Sequence, residues 1–241
     1  MLTERQISLI QAIIDRYIQT AEPVGSMEIV KNYNLSCSAA TIRNEMAKLI
    51  ELGFLEMLHT SSGRIPTRTA YRLYISELME EEDLPVLQEV AMKQRLWPNR
   101  FAFERLLRET VLSLSENTKL LSIATTEDNY VSHAGSVYVL EHKEFWDIDT
   151  AKTALLLTDS YEILNKLFTS IPNPDGRVLS LIEKEIGIEN LNRAALLFVP
   201  YKGGNKAGFI GVLGPSRLNY STVIPFIRYA KDLLEELGGS W

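Results

Sequence analysis

Between residues 38 and 66 the chain carries a pattern that few folds accommodate. Ser38 offers a side-chain oxygen suited to capping a helix, Ile42, Met46 and Leu49 follow at i, i+4 and i+7 as one apolar stripe, and Gly53 supplies the left-handed stop. Phe54 to Leu58 then reads as a strand, Ser61-Ser62-Gly63 as a turn, and Arg64-Ile65-Pro66 as a returning edge strand, the place in a sheet where proline is tolerated. A short helix followed at once by a hairpin leaves the polar side of that helix and the hairpin tip on the surface.

The residues upstream complete the unit. Thr3 and Gln6 form a capping-box pair with Leu2 and Ile7 placed as a hydrophobic staple, and Ile7, Ile10, Ile13, Ile14, Tyr17 and Ile18 recur at helical spacing. This first helix is expected to end near Thr20, where Glu22-Pro23-Val24-Gly25 turns the chain. Ser26 is expected to cap a short second helix with Ile29, Val30 and Tyr33 inward, and Asn34 to stop it. Two helices joined by a turn of about four residues have the spacing of a helix-turn-helix, and the hairpin behind them is then a wing. Thr69 is expected to cap a further helix carrying Tyr71, Tyr74, Ile75 and Leu78.

Beyond residue 80 the pattern changes. Glu80-Glu81-Glu82-Asp83 reads as a solvated charge run at a domain edge, and Leu84 to Leu96 as a connecting helix with Pro85 in its first turn, broken by Trp97-Pro98-Asn99. Residues 81–99 are therefore expected to be a linker helix. From residue 100 the sequence is mixed. A helix is expected around Phe103 to Leu114, strands over Leu120–Thr125 and Ser136–Leu140, and a helical pair over Ile148–Ile171. Strands are then expected over Val178–Ile182, Ala194–Tyr201 and Ala207–Leu213, the last two joined by Lys202 to Lys206, and a final helix from about Ser221 to Leu237. The predicted class is α+β, a winged helix-turn-helix over 1–80 followed by a mixed α/β domain over 100–241.

Composition narrows the functions. Of 241 residues 46% are apolar and 23% charged, which suits a globular chain with a sizeable core. No apolar run approaches the length of a membrane span, the N-terminus lacks a signal-peptide layout, and a single cysteine, Cys37, excludes an internal disulfide, so a cytoplasmic location and no membrane partner are expected. The net charge of −6 argues against coating nucleic acid by bulk charge but leaves room for a local basic face. His59, His133 and His142 have no metal-ligand spacing, and Gly208 to Gly214 is not a phosphate-cradling motif, so no metal, cofactor or catalytic residue is expected. Cys37 could sense oxidation, although a small buried residue is the commoner case.

The charge is unevenly placed. From His59 to Arg72 there are Arg64, Arg68 and Arg72 and no acid, whereas residues 1–58 hold five basic and seven acidic residues. With its apolar stripe turned inward, the third helix presents Thr41, Arg43, Asn44 and Lys48. Arginine pairs with guanine and asparagine with adenine in the major groove, Thr41 can bond a phosphate or touch a thymine methyl, and the helix start at Ser38 favours an anion. His59, Thr60, Ser61, Ser62, Arg64 and Arg68 would add contacts from the wing. The candidate DNA-binding set is thus Ser38, Thr41, Arg43, Asn44, Lys48, His59, Thr60, Ser61, Ser62, Arg64 and Arg68. The plain alternatives are a solvated helix face and a winged helix used for protein contacts.

These residues also carry a resemblance. LTERQ, YIQTAEPVGS, SAATIRNEMAKLIELGFLE and HTSSGRIPTRTAYRLYI resemble the N-terminal region of the heat-inducible transcription repressor family HrcA, and FIGVLGPSRLNYSTVIPFI resembles that family's closing motif. The resemblance implies a homodimer on an inverted-repeat operator in duplex DNA at promoters of chaperone operons. It also implies a GAF-like second domain and help from the chaperonin in reaching the active state. It places Ala40 to Asn44 in the recognition helix and His59 to Arg64 in the wing. The span from about 81 to 175 is short for the domain that family members carry inserted in the GAF-like one, so a GAF-like domain without it is expected. Such a domain could alternatively sense a small molecule. Gly214-Pro215-Ser216 and the Arg217, Asn219 and Tyr220 that follow could lock the last helix onto the sheet or form an interface.

Overall fold

Local capping starts the first helix where the sequence predicts. In the computed structural model, which describes residues 2–33, 37–58, 63–173 and 175–239, α1 spans Glu4–Thr20. The Gln6 N–H donates to Thr3 Oγ1 (3.3 Å) and the Thr3 N–H to Gln6 Oε1 (3.0 Å). Such reciprocal bonds satisfy two of the four N–H groups a helix start leaves open. The chain divides into two compact units, Met1–Glu80 and Glu81–Trp241.

In the first unit α2 is Ser26–Asn32 and α3 is Ala39–Glu51. Ser26 does not cap α2: it is the first helical residue, buried, and Gly25 stands at the cap without a side-chain bond. Ile29 is the inward residue of α2, whereas Val30 is 41% exposed and Tyr33 only partly buried. Asn34, the expected stop, lies outside the described residues. At α3 the expectation holds: Ser38 Oγ accepts from the Thr41 N–H at 3.2 Å, Ile42, Met46 and Leu49 are buried, and Gly53 follows with φ +77°.

The hairpin strands are short. β1 (Leu55–Glu56) pairs antiparallel with β2 (Ile65–Pro66). Thr67, not Thr69, precedes α4 (Arg68–Leu73), and its hydroxyl donates to the Gly53 carbonyl at 2.6 Å, tying the end of the hairpin to the end of α3. A π-helical turn over Tyr74–Leu78 completes the unit, and the Tyr74 hydroxyl donates to Asp15 on α1 (3.1 Å). Ile10, Ile13, Ile14, Ile42, Leu49 and Tyr71 are at most 1% exposed and form its core. Each aliphatic side chain so buried stabilises the fold by roughly 1.5–3 kcal/mol relative to an exposed one.

The second unit is built on a five-stranded antiparallel sheet. Its strands are β3 (Leu121–Thr126), β4 (Val131–Ala134), β5 (Leu179–Ile182), β6 (Ala194–Gly203) and β7 (Lys206–Pro215), in the order β4-β3-β7-β6-β5. Its helices are α5 (Val86–Leu96), α6 (Phe103–Thr118), α7 (Ser136–Val139), α8 (Ile148–Leu156), α9 (Tyr161–Phe168) and α10 (Tyr220–Gly238). Alternation along the strands separates two cores. Leu121, Ile123, Leu196, Phe198 and Leu213 pack with Phe145, Ala154, Leu164 and Phe168 beside α7–α9. The intervening residues Leu197, Val199, Ile210 and Val212, also buried, point to the other face, where α6 and α10 lie.

Two expectations are corrected here. Ser136–Leu140 is not a strand: Ser136–Val139 is helical, and the strand partner of β3 is the more polar Val131–Ala134, which pairs Thr125 with Val131. Only Val139 of that apolar run turns inward, a helical rather than an alternating pattern. The acidic run is not simply solvated either. Glu81 makes a double bond-pair with Arg228 (2.7 and 2.8 Å), and the Glu82 carboxylate accepts from Ser221 and Thr222 hydroxyls (3.0 Å each). Residues 81–99, expected as a linker, thus lie within the second unit. There α5 is held to α10 through Lys93–Glu236 (2.7 Å) and the Tyr229 hydroxyl donating to the Glu89 carbonyl (3.0 Å).

The closing motif locks its surroundings. Arg217 donates from Nε (2.6 Å) and Nη2 (3.1 Å) to the two oxygens of Glu144, whose side chain is only 4% exposed. The Tyr220 hydroxyl donates to the Ser216 carbonyl (2.6 Å). Breaking a buried pair strands the remaining charge, at about 3–5 kcal/mol. Arg217→Ala is therefore expected to lower the unfolding free energy of the second unit by about 3 kcal/mol or more. Urea unfolding followed by tryptophan fluorescence checks this, because Trp97 and Trp146 lie in that unit and residues 1–80 contain no tryptophan.

A pH effect is expected in the first unit. Burial pushes the Asp15 carboxyl above its ordinary value, more strongly than the Tyr74 hydrogen bond lowers it. The folded state then binds a proton more tightly than the unfolded one, so this residue's contribution to stability is present at low pH and is lost as pH rises through the folded value. Asp15→Asn should flatten that decline, measured by tyrosine near-ultraviolet circular dichroism of thermal unfolding between pH 3 and about 7.

Candidate nucleic-acid interface

The face of α3 opposite its apolar stripe is set by helical period alone. Ile42, Met46 and Leu49 are at most 2% exposed, and on the other side Arg43, Asn44, Ala47 and Lys48 are exposed. Thr41 is half-buried and its hydroxyl is within 3.0 Å of Ser38 Oγ, which is itself exposed at the helix start. Ser38, Thr41, Arg43, Asn44 and Lys48 thus lie on one helix, with Arg43 and Asn44 exposed side by side one turn from its beginning.

Beneath this face a polar chain fixes α3 against α1. The Gln6 amide, on a side chain only 6% exposed as a residue, donates to Glu45 Oε2 (3.0 Å), and Glu45 Oε1 accepts from Lys48 Nζ (2.9 Å). The Lys48 ammonium and then the Gln6 amide hold the Glu45 carboxyl below its usual range. Gln6 and Glu45 were not among the sequence-derived site residues. Gln6 looked like a capping partner only, and its cross-helix bond has no local signature.

The wing is anchored at its base. Val24 and Arg64 exchange both backbone hydrogen bonds at 2.8 Å, adding a third short segment beside β1 and β2. Arg64 is half-buried, Arg68 is exposed at the start of α4, and Arg72 is half-buried. A Cβ at Gly63 would lie 2.5 Å from the Pro23 carbonyl carbon and oxygen, so the chain can pass there only as glycine. His59, Thr60, Ser61 and Ser62, expected at the tip, lie outside the described residues. Cys37 is partly buried with a free thiol.

The second unit offers little of this kind. His133 is exposed on β4, and burial lowers the value of His142. Gly208, Gly211 and Gly214 lie within β7, not at a helix start. An open cleft of about 470 Å³ touches Phe101, Phe103, Arg105 and Lys206, but Lys206 is already paired with Asp128 (2.6 Å). Among the described residues no group of three or more His, Cys, Asp or Glu side chains could hold a metal ion, and no helix is long and apolar enough to cross a membrane.

Comparison with known proteins decides the family. Residues 1–80 match the model of the winged helix-turn-helix transcription repressor HrcA DNA-binding domain, and residues 57–224 that of the HrcA protein C-terminal domain. The chain belongs to the HrcA family of heat-inducible transcription repressors. It is 28% identical to the heat-inducible transcription repressor HrcA of Clostridium acetobutylicum, covering 96% of each chain. That alignment runs over 333 positions, more than the 241 residues present here, so part of the relative has no counterpart in this chain. It is 34% identical to the HrcA of Clostridium tetani over 79% of this chain and 55% of that one, and 35% identical to the HrcA of Clostridium perfringens over 80% and 60%. A solved crystal structure described as that of a hypothetical protein shares the fold, with a TM-score of 0.81 at 19% identity over 100% of this chain and 99% of that one. The family is one of DNA-binding repressors rather than enzymes, and its architecture is a winged helix followed by a GAF-like domain.

Gly63→Ala is expected to displace the wing from the Pro23–Val24 segment. Affinity for duplex DNA should fall about tenfold or more in a fluorescence-anisotropy titration, and the Val24 and Arg64 amide protons should lose protection from exchange.

Proposed function

We propose that this chain represses transcription as a homodimer bound to an inverted-repeat operator, at promoters of heat-shock chaperone operons. The observation that carries the reading is the pairing of Arg43 and Asn44, both exposed, on the outer face of a helix whose inner face is buried. Each monomer supplies one such helix, and two copies related by a two-fold axis read half-sites one helical turn apart or a multiple of it.

In this reading Arg43 and Asn44 contact base edges by bidentate hydrogen bonds. Ser38 and Thr41, at the positive end of the α3 dipole, and Lys48, about two turns further on, hold phosphates and set the register. Arg64 and Arg68, with His59 to Ser62, carry the wing onto the backbone or into the minor groove. Bound at a promoter, the dimer excludes polymerase. Chaperonin assistance in reaching the active state belongs to the same reading and would make repression fall when heat occupies the chaperonin.

Base-reading and phosphate-holding residues differ in their signatures. Arg43→Ala should cost about 1–3 kcal/mol on the specific duplex and narrow the gap between operator and scrambled DNA. Arg68→Ala should weaken both duplexes alike and flatten the dependence of log K on log salt by about one unit. Anisotropy titrations of both variants at several salt concentrations check this. Equal operator affinity for Arg43→Ala and the parent would remove Arg43 from the reading set.

A further inference from the structure

In the second unit α7 and α8, with the turn between them, carry large apolar side chains on both their inner and their outer sides. Their inner side chains, among them Val139, Phe145, Ala154 and Leu157, are buried in the core. Their outer side chains are Val137 (61% exposed), Leu140 (55%), Trp146 (72%) and Ile148 (75%). These four are neighbours: the Trp146 indole N–H donates to the Leu140 carbonyl at 3.1 Å, and Trp146 stands two residues before the first residue of α8. A helix with water on one side normally carries polar residues there.

We infer that this surface is where a second copy of the chain docks. The area is right for it. At these exposures the four side chains leave on the order of 400 Å² of apolar surface, the size of the largest patch a monomer ordinarily carries, and such patches are often functional. One side of a standard interface buries about 800 Å², a little over half of it apolar. The charges around the patch suit a two-fold axis. Exposed Glu141, Asp147 and Asp149 and the basic Lys143 and Lys152 border it, so that acids of one copy can face bases of the other. A surface meant for DNA would carry a surplus of positive charge, and this one does not. The inference rests on the homodimer of the proposed function, and it locates the contact.

The test uses the full chain. Ile148→Glu alters an exposed first-turn position of α8, where an acid favours the helix, and Trp146→Glu removes the centre of the patch. Leu87→Glu, at a residue 79% exposed on α5, is the control. Sedimentation equilibrium should give a dimer for the parent and for Leu87→Glu, with the dimer dissociation constant raised at least thirtyfold in Ile148→Glu and Trp146→Glu. Their melting curves extrapolated to the monomer should be unchanged. A parent that stays monomeric at 50 μM, or a folded Ile148→Glu with parental dimer affinity, overturns the inference. Anisotropy with a single half-site duplex separates the two readings. Parental half-site binding by Ile148→Glu with weakened full-operator binding supports the docking surface. Loss of DNA binding by every protein, with the dimer results as expected, overturns the proposed function while leaving the surface in place.

Discussion

Three apolar side chains decide which residues of α3 meet solvent. Ile42, Met46 and Leu49 are withdrawn into the first unit's core, and because they recur at helical spacing they fix the rotation of the helix about its own axis. Arg43, Asn44 and Lys48 then have no choice of direction. The bond from Gln6 to Glu45 adds a polar constraint to the apolar one: rotating α3 would break it and leave a nearly buried amide without its acceptor, which is costly. Packing and hydrogen bonding thus agree on one orientation. Such agreement between levels is what lets a short helix present a fixed pattern to a partner.

The same network bears on how the surface engages DNA. Lys48 is not idle in the free protein, since Glu45 holds it. An ion pair open to solvent is weak and easily exchanged. On the proposed reading a phosphate can draw Lys48 away from Glu45, while Gln6 keeps Glu45 in place. The acid beside the reading face then repels phosphate where Lys48 does not cover it, which favours one register over its neighbours.

What the sequence made legible follows the range of the interactions. The cap at Thr3, the cap at Ser38, the stripe on α3 and the stop at Gly53 are written within a few residues, and the folded chain shows each of them. Contacts between distant segments were not legible: Val24 with Arg64, Gly63 against Pro23, Gln6 with Glu45. Each joins residues whose neighbours give no hint of the partner. Ser26 failed as a cap for a related reason, because a hydroxyl residue before a helix can equally be its first buried residue. In the second unit, the valines within Ser136–Leu140 are compatible with the expected strand, yet β propensity is mostly a report on packing. Val139 alone faces the core, and a polar segment just upstream, Val131–Ala134, takes the place beside β3.

The acidic run shows how composition can mislead most. Pro225 lies inside α10, where it has no N–H to give the carbonyl four residues earlier. That carbonyl belongs to Ser221, and it accepts instead from the Glu82 backbone N–H at 3.0 Å. The proline therefore opens an acceptor on the helix, and the chain at Glu82 fills it. The Glu82 side chain then takes the Ser221 and Thr222 hydroxyls in the first turn, where a carboxylate is also favoured by the helix dipole. A proline that by itself would weaken a helix thus becomes a docking point for a second segment, and a run of acids that looks like a solvated linker is held by one specific vacancy in a backbone ladder. Replacing Pro225 by alanine would return an N–H to Ser221 and set the helix in competition with Glu82 for one acceptor. The role of Pro225 is legible only when Glu82, far away along the sequence, is seen beside it.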